Sequence, residues 1–152
     1  MAPKSDGSKR FCLDLRAIND RSEAFNWPAP RTEELLRRAS GKHYYTKLDA
    51  DSGFWQIPLE SVEAAKTAFT FEGRHLEFKV MPFGARNAPA HFQHAIDELF
   101  ARERANGFLE VYMDDILIHS NSWAEHMTHL ELVLQKCVEA KLKLKGKKCE
   151  IA

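Results

Sequence analysis

Leu109-Glu-Val-Tyr-Met-Asp-Asp-Ile-Leu-Ile-His-Ser120 is the stretch that decides the fold. Two runs rich in β-branched and aromatic residues meet at Asp114 and Asp115. Because Asp is poor strand material but suits a tight turn, the pattern predicts a β-hairpin with an acidic tip. Two adjacent carboxylates repel each other unless water or a cation compensates their charge. A solvated polar turn is the commoner explanation of an isolated Asp-Asp pair, so the hairpin alone does not establish a functional site.

The elements around this hairpin predict the order of a sheet. When an insertion from about residue 50 to residue 86 is set aside, the pattern reads strand, helix, strand, strand, helix, strand. This order predicts an α+β fold with a ferredoxin-like β-α-β-β-α-β antiparallel sheet and both helices on one face. The other predicted elements are a strand over Arg10–Arg16, a helix over Glu33–Ala39 capped by Thr32, a strand over Tyr44–Leu48, a hairpin across Glu72-Gly73, a helix from Pro89 to about Arg104, a helix from Trp123 to about Ala140 capped by Ser122, and a closing strand over Leu142–Lys145.

The predicted topology brings a third carboxylate to the hairpin. The first and second strands run parallel and the third lies antiparallel between them, so Asp49 and the Asp114-Asp115 tip share one edge of the sheet. Neighbouring strands lie about 4.8 Å apart, which lets the three side chains converge. Carboxylate ligands select a hard ion, Mg²⁺ or Mn²⁺, rather than zinc. The sequence therefore predicts a site for two such ions, about 3.5–4 Å apart, of the kind that catalyses phosphoryl transfer.

Other polar residues admit two explanations each. Asp51 is either a fourth ligand or a locally solvated side chain, and the second explanation is favoured. The histidine pairs His91/His94 and His126/His129 have helical spacing, but no cysteine partner supports a zinc site, so ordinary structural histidines are favoured. Tyr112 is either a core aromatic residue or a support beneath a primer end, with neither favoured.

Composition restricts the class of protein. A chain of 152 residues with 44% hydrophobic and 11% aromatic residues is long enough for one globular domain with its own core. It contains no apolar run of membrane-spanning length and no signal-peptide pattern. Three cysteines without metal-binding spacing are typical of a reducing compartment. The net charge is zero, but basic residues cluster at both ends of the chain. These clusters fit either phosphate contacts or an ordinary solvated surface.

Several motifs resemble those of reverse transcriptases over nearly the whole chain. Tyr112-Met-Asp-Asp115 is similar to the Tyr-x-Asp-Asp box of retroviral and retrotransposon enzymes. Lys47-Leu-Asp-Ala-Asp-Ser-Gly-Phe-Trp-Gln-Ile57 resembles the motif that carries the first catalytic aspartate. Val80-Met-Pro-Phe-Gly-Ala-Arg-Asn-Ala-Pro-Ala-His-Phe-Gln93 resembles the template-grip region. Its Met-Pro-Phe-Gly most resembles the gypsy-type long-terminal-repeat retrotransposons. Arg16-Ala-Ile-Asn19, Lys66-Thr-Ala-Phe69 and Lys148-Cys149 are further points of similarity.

The resemblance implies a role for each matching residue. Asp49, Asp114 and Asp115 would be catalytic and, with the backbone of Ala50, would bind two Mg²⁺ ions, for which Mn²⁺ can substitute. Residues expected to bind the deoxynucleotide are Lys4, Arg10, Ser52, Gly53, Phe54 and Phe83, with Phe54 excluding a 2′-hydroxyl. Residues expected to support primer or template are Tyr112, Met113, Gly84, Asn87 and Pro89.

The resemblance also implies a domain arrangement and a function. It predicts a polymerase palm over about 44–55 and 87–152 with partial fingers over about 1–43 and 56–86, the thumb and ribonuclease H domain lying outside these residues. The implied function is RNA-directed DNA polymerase activity on an RNA or DNA template with a DNA primer and dNTPs. No membrane partner is implied. These residues alone are expected to have weak activity or none. The implied location is the cytoplasm, in a virus-like particle, or the nucleus. The alternatives are a silent or domesticated retroelement remnant that binds nucleic acid, and another palm enzyme such as an RNA-dependent RNA polymerase or a cyclase.

Overall fold

The computed structural model describes residues 2–3 and 9–152. The chain forms two compact units, the first made of Met1–Asn26 and Phe54–Pro89 and the second of Trp27–Gly53 and Ala90–Ala152. The strands are β1 (Ala2–Pro3), β2 (Lys9–Arg10), β3 (Tyr44–Asp49), β4 (Phe69–Phe71), β5 (Arg74–Leu76), β6 (Leu109–Tyr112) and β7 (Asp115–Ser120). The helices are α1 (Arg16–Asn19), α2 (Thr32–Ala39), α3 (Ser61–Lys66), α4 (Ala88–Leu99), α5 (Ala101–Ala105) and α6 (Trp123–Glu139), with 3₁₀ turns at Gly53–Gln56 and Gly146–Lys148.

A short hairpin and an aromatic cluster organise the first unit. Strands β4 and β5 pair across Glu72 and Gly73, which both have positive φ, as a tight hairpin turn requires. The ring of Phe11 lies 5.5 Å from that of Phe69 and 6.3 Å from that of Phe78, measured between centroids. The pairing of β4 with β5 confirms the predicted hairpin across Glu72-Gly73.

A three-stranded antiparallel sheet forms the centre of the second unit. Its order is β3-β7-β6, so β3 and β6 run parallel with β7 between them, as predicted. Residues on alternate positions of β7, Ile116 and Ile118, are fully buried together with Leu48 and Val111. This apolar face packs against the long helices, and Lys136 of α6 donates a hydrogen bond to the carbonyl of Leu99 at the end of α4. The two helices therefore lie side by side on one face of the sheet.

Helix α2 lies on the opposite face of the sheet. Glu110 of β6 alternates with the apolar residues of its strand, and its carboxylate lies 3.7 Å from the guanidinium of Arg38 on α2. Asp49 and Asp115, which are Cα partners in the register, share the face of Glu110 through the same alternation. The predicted acidic edge therefore projects from the face that the two long helices leave uncovered.

Four local predictions about where helices and strands begin or end are wrong. Thr32 does not cap α2, because the cap position is Arg31 and the helix begins at Thr32 itself. The predicted strand over Arg10–Arg16 is limited to Lys9–Arg10, and α1 begins at Arg16. The helix predicted to reach Arg104 is interrupted at Phe100, which leaves helical dihedral angles and is fully buried. The closing strand over Leu142–Lys145 is reduced to a single bridge between Leu144 and Ala50, followed by a second bridge between Glu150 and Lys47.

A buried histidine network joins the sheet to α6. Nε2 of His126 lies 2.8 Å from Thr46 Oγ1, and its Nδ1 lies 3.0 Å from Ser120 Oγ. The same hydroxyl lies 2.8 Å from Nδ1 of His129, whose ring stacks on Phe108 at 3.9 Å. Ser122 caps α6 as predicted, since its Oγ accepts the Glu125 N–H at 3.3 Å. Within the described range, no helix combines the length and apolar character needed to cross a bilayer.

We expect His119 to make the fold sensitive to acid. Its side chain is 1% exposed, and burial, with smaller contributions from Lys42 and the neighbouring histidines, lowers its pKa from 6.5 to about 4. Between those values the unfolded chain binds more protons than the folded chain, so stability present above pH 6.5 is lost as the pH falls. Because one pKa unit is worth about 1.4 kcal/mol, His119 should contribute about 2 kcal/mol of the loss in free energy of unfolding between pH 7 and pH 5.

Urea unfolding of the variant His119→Leu at both pH values measures this contribution. We expect the variant to lose about 2 kcal/mol less than the wild type over this interval. The exposed His75 provides the control, and His75→Gln should retain the full loss. An acid loss that is identical in the wild type and His119→Leu would contradict the assignment.

Candidate active site

Three aspartates from two parts of the chain meet at one end of the sheet in the second unit. Asp49 is the last residue of β3 and pairs with Asp115, the first residue of β7. The N–H of Ala50 donates to the carbonyl of Asp114 at 2.8 Å, which ties the end of β3 to the hairpin turn. Asp49 is only 7% exposed, whereas Asp114 and Asp115 are half-buried. The register therefore places the three predicted catalytic residues together.

The hairpin turn that carries the acids has an unusual backbone. Tyr112 and Asp115 are paired, so Met113 and Asp114 form a two-residue turn. Met113 has φ 51°, in the left-handed region that non-glycine residues seldom adopt. Such residues cluster at functional sites, where the surrounding structure compensates the strain. Tyr112 is 41% exposed, which excludes the first of its two predicted roles, that of a buried core aromatic residue.

Gly53 allows Asp114 to approach the turn after β3. A Cβ atom built on Gly53 would lie 2.3 Å from Asp114 Oδ1 and 2.6 Å from the ring of Phe92. Such distances are far below van der Waals contact, and the ring of Phe92 is 2% exposed within the core. Glycine is therefore required at this position by packing, in addition to the nucleotide contact that the resemblance predicts for its amide.

Two lysines hold the acids in this arrangement. Lys148 Nζ lies 2.9 Å from Asp49 Oδ2, and Lys47 Nζ lies 3.0 Å from Asp115 Oδ1. Hydrogen bonding to these carboxylates raises the pKa of both lysines. Among the described residues, no three acidic, histidine or cysteine side chains enclose a common ion position. Asp49 and Asp115 instead attract one ammonium group each, which offsets part of the repulsion between neighbouring carboxylates.

The site fits hard divalent ions by the chemistry of its donors. All three side chains supply carboxylate oxygens, which are the ligands that Mg²⁺ and Mn²⁺ prefer. Two cationic groups already occupy the space around Asp49 and Asp115, so positive charge is favoured at this position. Asp49, Asp114 and Asp115 could therefore hold such ions if the ammonium groups of Lys47 and Lys148 moved aside.

The chain end fixes the position of Asp49. The Lys145 N–H donates to the carbonyl of Asp49 at 2.8 Å, and the Asp51 N–H donates to the carbonyl of Lys143 at 2.9 Å. Lys148 follows in the 3₁₀ turn Gly146–Lys148. Although the predicted closing strand does not form, these contacts give β3 a second backbone neighbour, in addition to β7, beside the acids.

The residues predicted to bind the nucleotide are distributed over both units. Ser52, in the second unit, has φ 53°, and its Oγ–H donates to Asp51 Oδ1 at 3.3 Å. Phe54 and Phe83, in the first unit, contact each other with ring centroids 5.5 Å apart. Arg10 lies in β2 opposite Ala2, and Lys4 lies outside the described residues. The individual roles of these residues stay predictions.

Three of the residues predicted to support primer or template, Gly84, Asn87 and Pro89, form part of a braced segment of the first unit, whereas Tyr112 and Met113 lie in the β6–β7 hairpin. The Asn19 side chain donates to the carbonyl of Gly84 at 2.9 Å and accepts from the Arg86 N–H at 2.8 Å. Asn87 donates to the carbonyl of Glu23 at 2.7 Å, and Pro89 lies in the first turn of α4. This loop is therefore fixed by side-chain amides, but its predicted role in binding template stays a prediction.

Sequence reasoning did not identify Gln93 as a site residue, only as the end of a motif. Its side chain is 1% exposed, and its Oε1 accepts the Met113 N–H at 2.8 Å. The signal that could have identified Gln93 is its position beside Phe92 on the apolar face of α4. A polar side chain buried on such a face needs a hydrogen-bond partner.

Comparison with known proteins identifies relatives of this chain. Residues 2–152 match the family model described as reverse transcriptase (RNA-dependent DNA polymerase). The chain is 37% identical over 150 residues to the enzymatic polyprotein of cauliflower mosaic virus (strain D/H), which covers 99% of the chain and 22% of that protein. It is 37% identical over 150 residues to the retrovirus-related Pol polyprotein from transposon 297 of Drosophila melanogaster. That alignment covers 97% of this chain and 14% of the relative. The chain therefore spans less than a quarter of the length of these relatives.

Solved structures show the same fold. The foamy viral protease–reverse transcriptase in complex with RNA/DNA hybrid has a TM-score of 0.87 and 29% identity, over 99% of this chain and 20% of that one. A second foamy viral structure, in complex with double-stranded DNA, has a TM-score of 0.91 and 29% identity, over 99% of this chain and 26% of that one. The predicted polymerase palm-like α+β fold is confirmed, and the gypsy-type assignment is compatible with these relatives. With its acidic hairpin, its sheet order and a family match from residue 2 to residue 152, the chain belongs to the reverse transcriptase family.

Proposed function

We propose that these residues form the catalytic palm and part of the fingers of an RNA-directed DNA polymerase. The observation that carries this proposal is the register of β3 and β7, which sets Asp49 opposite Asp115 and beside Asp114. Three carboxylates in one place suit nucleotidyl transfer, which depends on charge stabilisation more than on acid-base side chains. The proposed reaction joins the 3′-hydroxyl of a DNA primer to the α-phosphate of a dNTP and releases pyrophosphate.

The acidic residues of the chain would bind two Mg²⁺ ions, or Mn²⁺ in their place. Such ions activate the attacking hydroxyl and neutralise the charge on the triphosphate. The chain itself contributes the fixed geometry, because Asp49 is buried and tethered through Ala50 and Lys145 to the hairpin and the chain end. Fixed carboxylates need little reorganisation during the reaction, which is the main source of catalytic power at such sites.

We propose an RNA or DNA template with a DNA primer as the nucleic-acid partner. The foamy viral relatives bind an RNA/DNA hybrid and double-stranded DNA. The basic residues near the chain end, from Lys141 to Lys148, would contact phosphates close to the acidic site. Phe54 would exclude a 2′-hydroxyl and so select deoxynucleotides. Segments that flank the matching region in the longer relatives would supply further grip on the primer.

Primer extension tests this function. We expect the chain, joined to the segments that flank the matching region in the transposon 297 polyprotein, to extend a DNA primer on an RNA template with Mg²⁺ and dNTPs. We call this fusion the hybrid polymerase. Extension should stop with EDTA and should be at least about 100-fold slower with NTPs, because a steric clash is hard to relieve in a packed pocket. The 152-residue chain alone should extend weakly or not at all.

The outcomes separate the alternatives. Equal use of NTPs and dNTPs would favour an RNA polymerase rather than a reverse transcriptase. Binding of the primed template without any extension, in a folded hybrid polymerase, would favour a silent nucleic-acid-binding remnant. Rapid extension by the 152-residue chain alone would show that the flanking segments are not needed to hold the primer.

A further inference from the structure

The Met113–Asp114 turn is held by one buried side-chain amide, that of Gln93. Gln93 Oε1 accepts the Met113 N–H at 2.8 Å, and the Gln93 side chain is 1% exposed on α4. Met113 is the residue with φ 51° in the two-residue turn. A hydrogen bond to its amide fixes the orientation of the Tyr112–Met113 peptide, which immediately precedes Asp114. Gln93 therefore contacts the strained position of the turn without contacting the carboxylates.

The opposite end of the Gln93 amide is also fixed. Its Nε2 donates to Asp97 Oδ1 at 2.9 Å, and the other oxygen of Asp97 accepts the Trp27 Nε1–H at 2.8 Å. Arg104 forms an ion pair with the same carboxylate. A carboxylate only accepts and a backbone N–H only donates, so the Gln93 amide can satisfy both partners in one orientation alone. The network therefore selects the rotamer that directs Oε1 towards the turn.

We propose that Gln93 is a positioning residue that holds the Met113–Asp114 turn in the conformation in which the three acids lie together. This inference rests on the proposed function for its effect on metal binding. Left-handed backbone at a non-glycine residue costs about 1–3 kcal/mol and persists only where the surroundings enforce it. The Gln93–Met113 bond is a contact that the described residues supply at this point. Loss of the acceptor lets the turn relax and displaces Asp114 and Asp115 from Asp49.

The variant Gln93→Met tests this role in the 152-residue chain. Methionine has nearly the length of glutamine and fills the same space, but it cannot accept the Met113 amide well. The matched control is Trp27→Phe, which removes one hydrogen bond from Asp97 and leaves the Gln93–Met113 bond intact. Both variants should lower the unfolding temperature, because Gln93→Met removes a hydrogen bond from Asp97 and the acceptor of the Met113 N–H, and Trp27→Phe removes a hydrogen bond from Asp97. A merely structural role for Gln93 would therefore lower the stability of both variants without a specific effect at the Met113 turn.

Two measurements separate positioning from stability. Hydrogen exchange of the Met113 amide, followed by NMR, should accelerate about tenfold in Gln93→Met and stay unchanged in Trp27→Phe. The dissociation constant for Mn²⁺, followed by electron paramagnetic resonance, should rise about 10- to 100-fold in Gln93→Met alone, which is the usual effect of removing a residue that orients metal ligands.

Each outcome decides the proposal. Equal Met113 exchange in Gln93→Met and the wild type would overturn it, as would equal Mn²⁺ affinity or an equal loss of affinity in both variants. If wild-type chain with a protected Met113 amide binds no Mn²⁺, the proposed metal site fails, while the exchange data still decide the role of Gln93. If Gln93→Met does not fold, Gln93→Leu removes the same acceptor, and its Met113 amide should exchange about tenfold faster than in the wild type. Unchanged Met113 exchange in folded Gln93→Leu would overturn the proposal.

Discussion

Asp114→Asn should reduce primer extension by the hybrid polymerase by about 10³-fold or more. Asn has the size of Asp but lacks the charge that binds a divalent ion, and removal of one preorganised electrostatic group commonly costs 10²–10³-fold in rate or more. Oδ1 of Asp114 is fully buried beside Gly53, so water cannot replace the missing charge easily. The rate of single-nucleotide addition in Mg²⁺, measured with saturating primed RNA, provides the test.

Stability provides the first control for this prediction. Three neighbouring carboxylates repel one another, so neutralising one should leave the unfolding temperature of the metal-free chain unchanged or higher. The matched variant is Asp51→Asn, which alters an exposed acid of the turn that follows Asp49. It should keep activity within about threefold, since exposed charges contribute little. Equal loss in both variants would identify Asp51 as a fourth ligand, and normal extension by Asp114→Asn would remove the acidic site from the mechanism.

Gly53→Ala should produce the second-largest loss. The added Cβ would meet Asp114 Oδ1 at 2.3 Å and two ring atoms of Phe92 at 2.6 and 2.9 Å, so at least one neighbour must move. Overpacking of a filled core costs about 1–3 kcal/mol, and displacement of a reacting group by about 1 Å costs about 100-fold in rate. We therefore expect a lower free energy of unfolding together with about 100-fold slower primer extension.

Another glycine of the second unit offers the control. Gly146 has no heavy atom within 4 Å of its added Cβ and no positive φ, so Gly146→Ala should change neither stability nor extension measurably. The double variant Gly53→Ala/Phe92→Leu separates the two contacts. Leucine frees space for the methyl group, so stability should partly return, but the clash with Asp114 persists and extension should stay slow. Full recovery of extension in the double variant would show that the ring, and not the carboxylate, limits the site.

The centre of the fold could be predicted from the sequence because its signals are local and consistent. Alternating β-branched residues on both sides of Asp114 indicate two strands that can only form a hairpin, and the order of elements then places Asp49 beside it. The observed register, with Asp49 opposite Asp115, confirms that step. Ser122 was identified as the cap of α6 because a polar residue precedes a long apolar periodicity.

The remaining features depend on tertiary contacts that no local pattern encodes. The need for glycine at residue 53 arises from the approach of Asp114 and Phe92, which are remote in sequence. The ion pairs of Lys47 and Lys148 depend on where the chain end lies relative to the sheet. The alternation over residues 142–145 likewise predicted a strand, because it does not show how the tail meets β3. In the structure only isolated bridges form, from Leu144 to Ala50 and from Glu150 to Lys47.

Those two bridges have a practical consequence for dissecting such polyproteins. The eleven residues from 142 to 152 look dispensable in a secondary-structure diagram, since they form only a short 3₁₀ turn. They nevertheless pair with the outer strand and place a cation on its buried acid. A boundary drawn at the end of α6 would leave the outer edge of β3 unpaired, and unpaired strand edges promote aggregation. Anyone trimming a related enzyme to its smallest folded piece should therefore retain the counterpart of this tail.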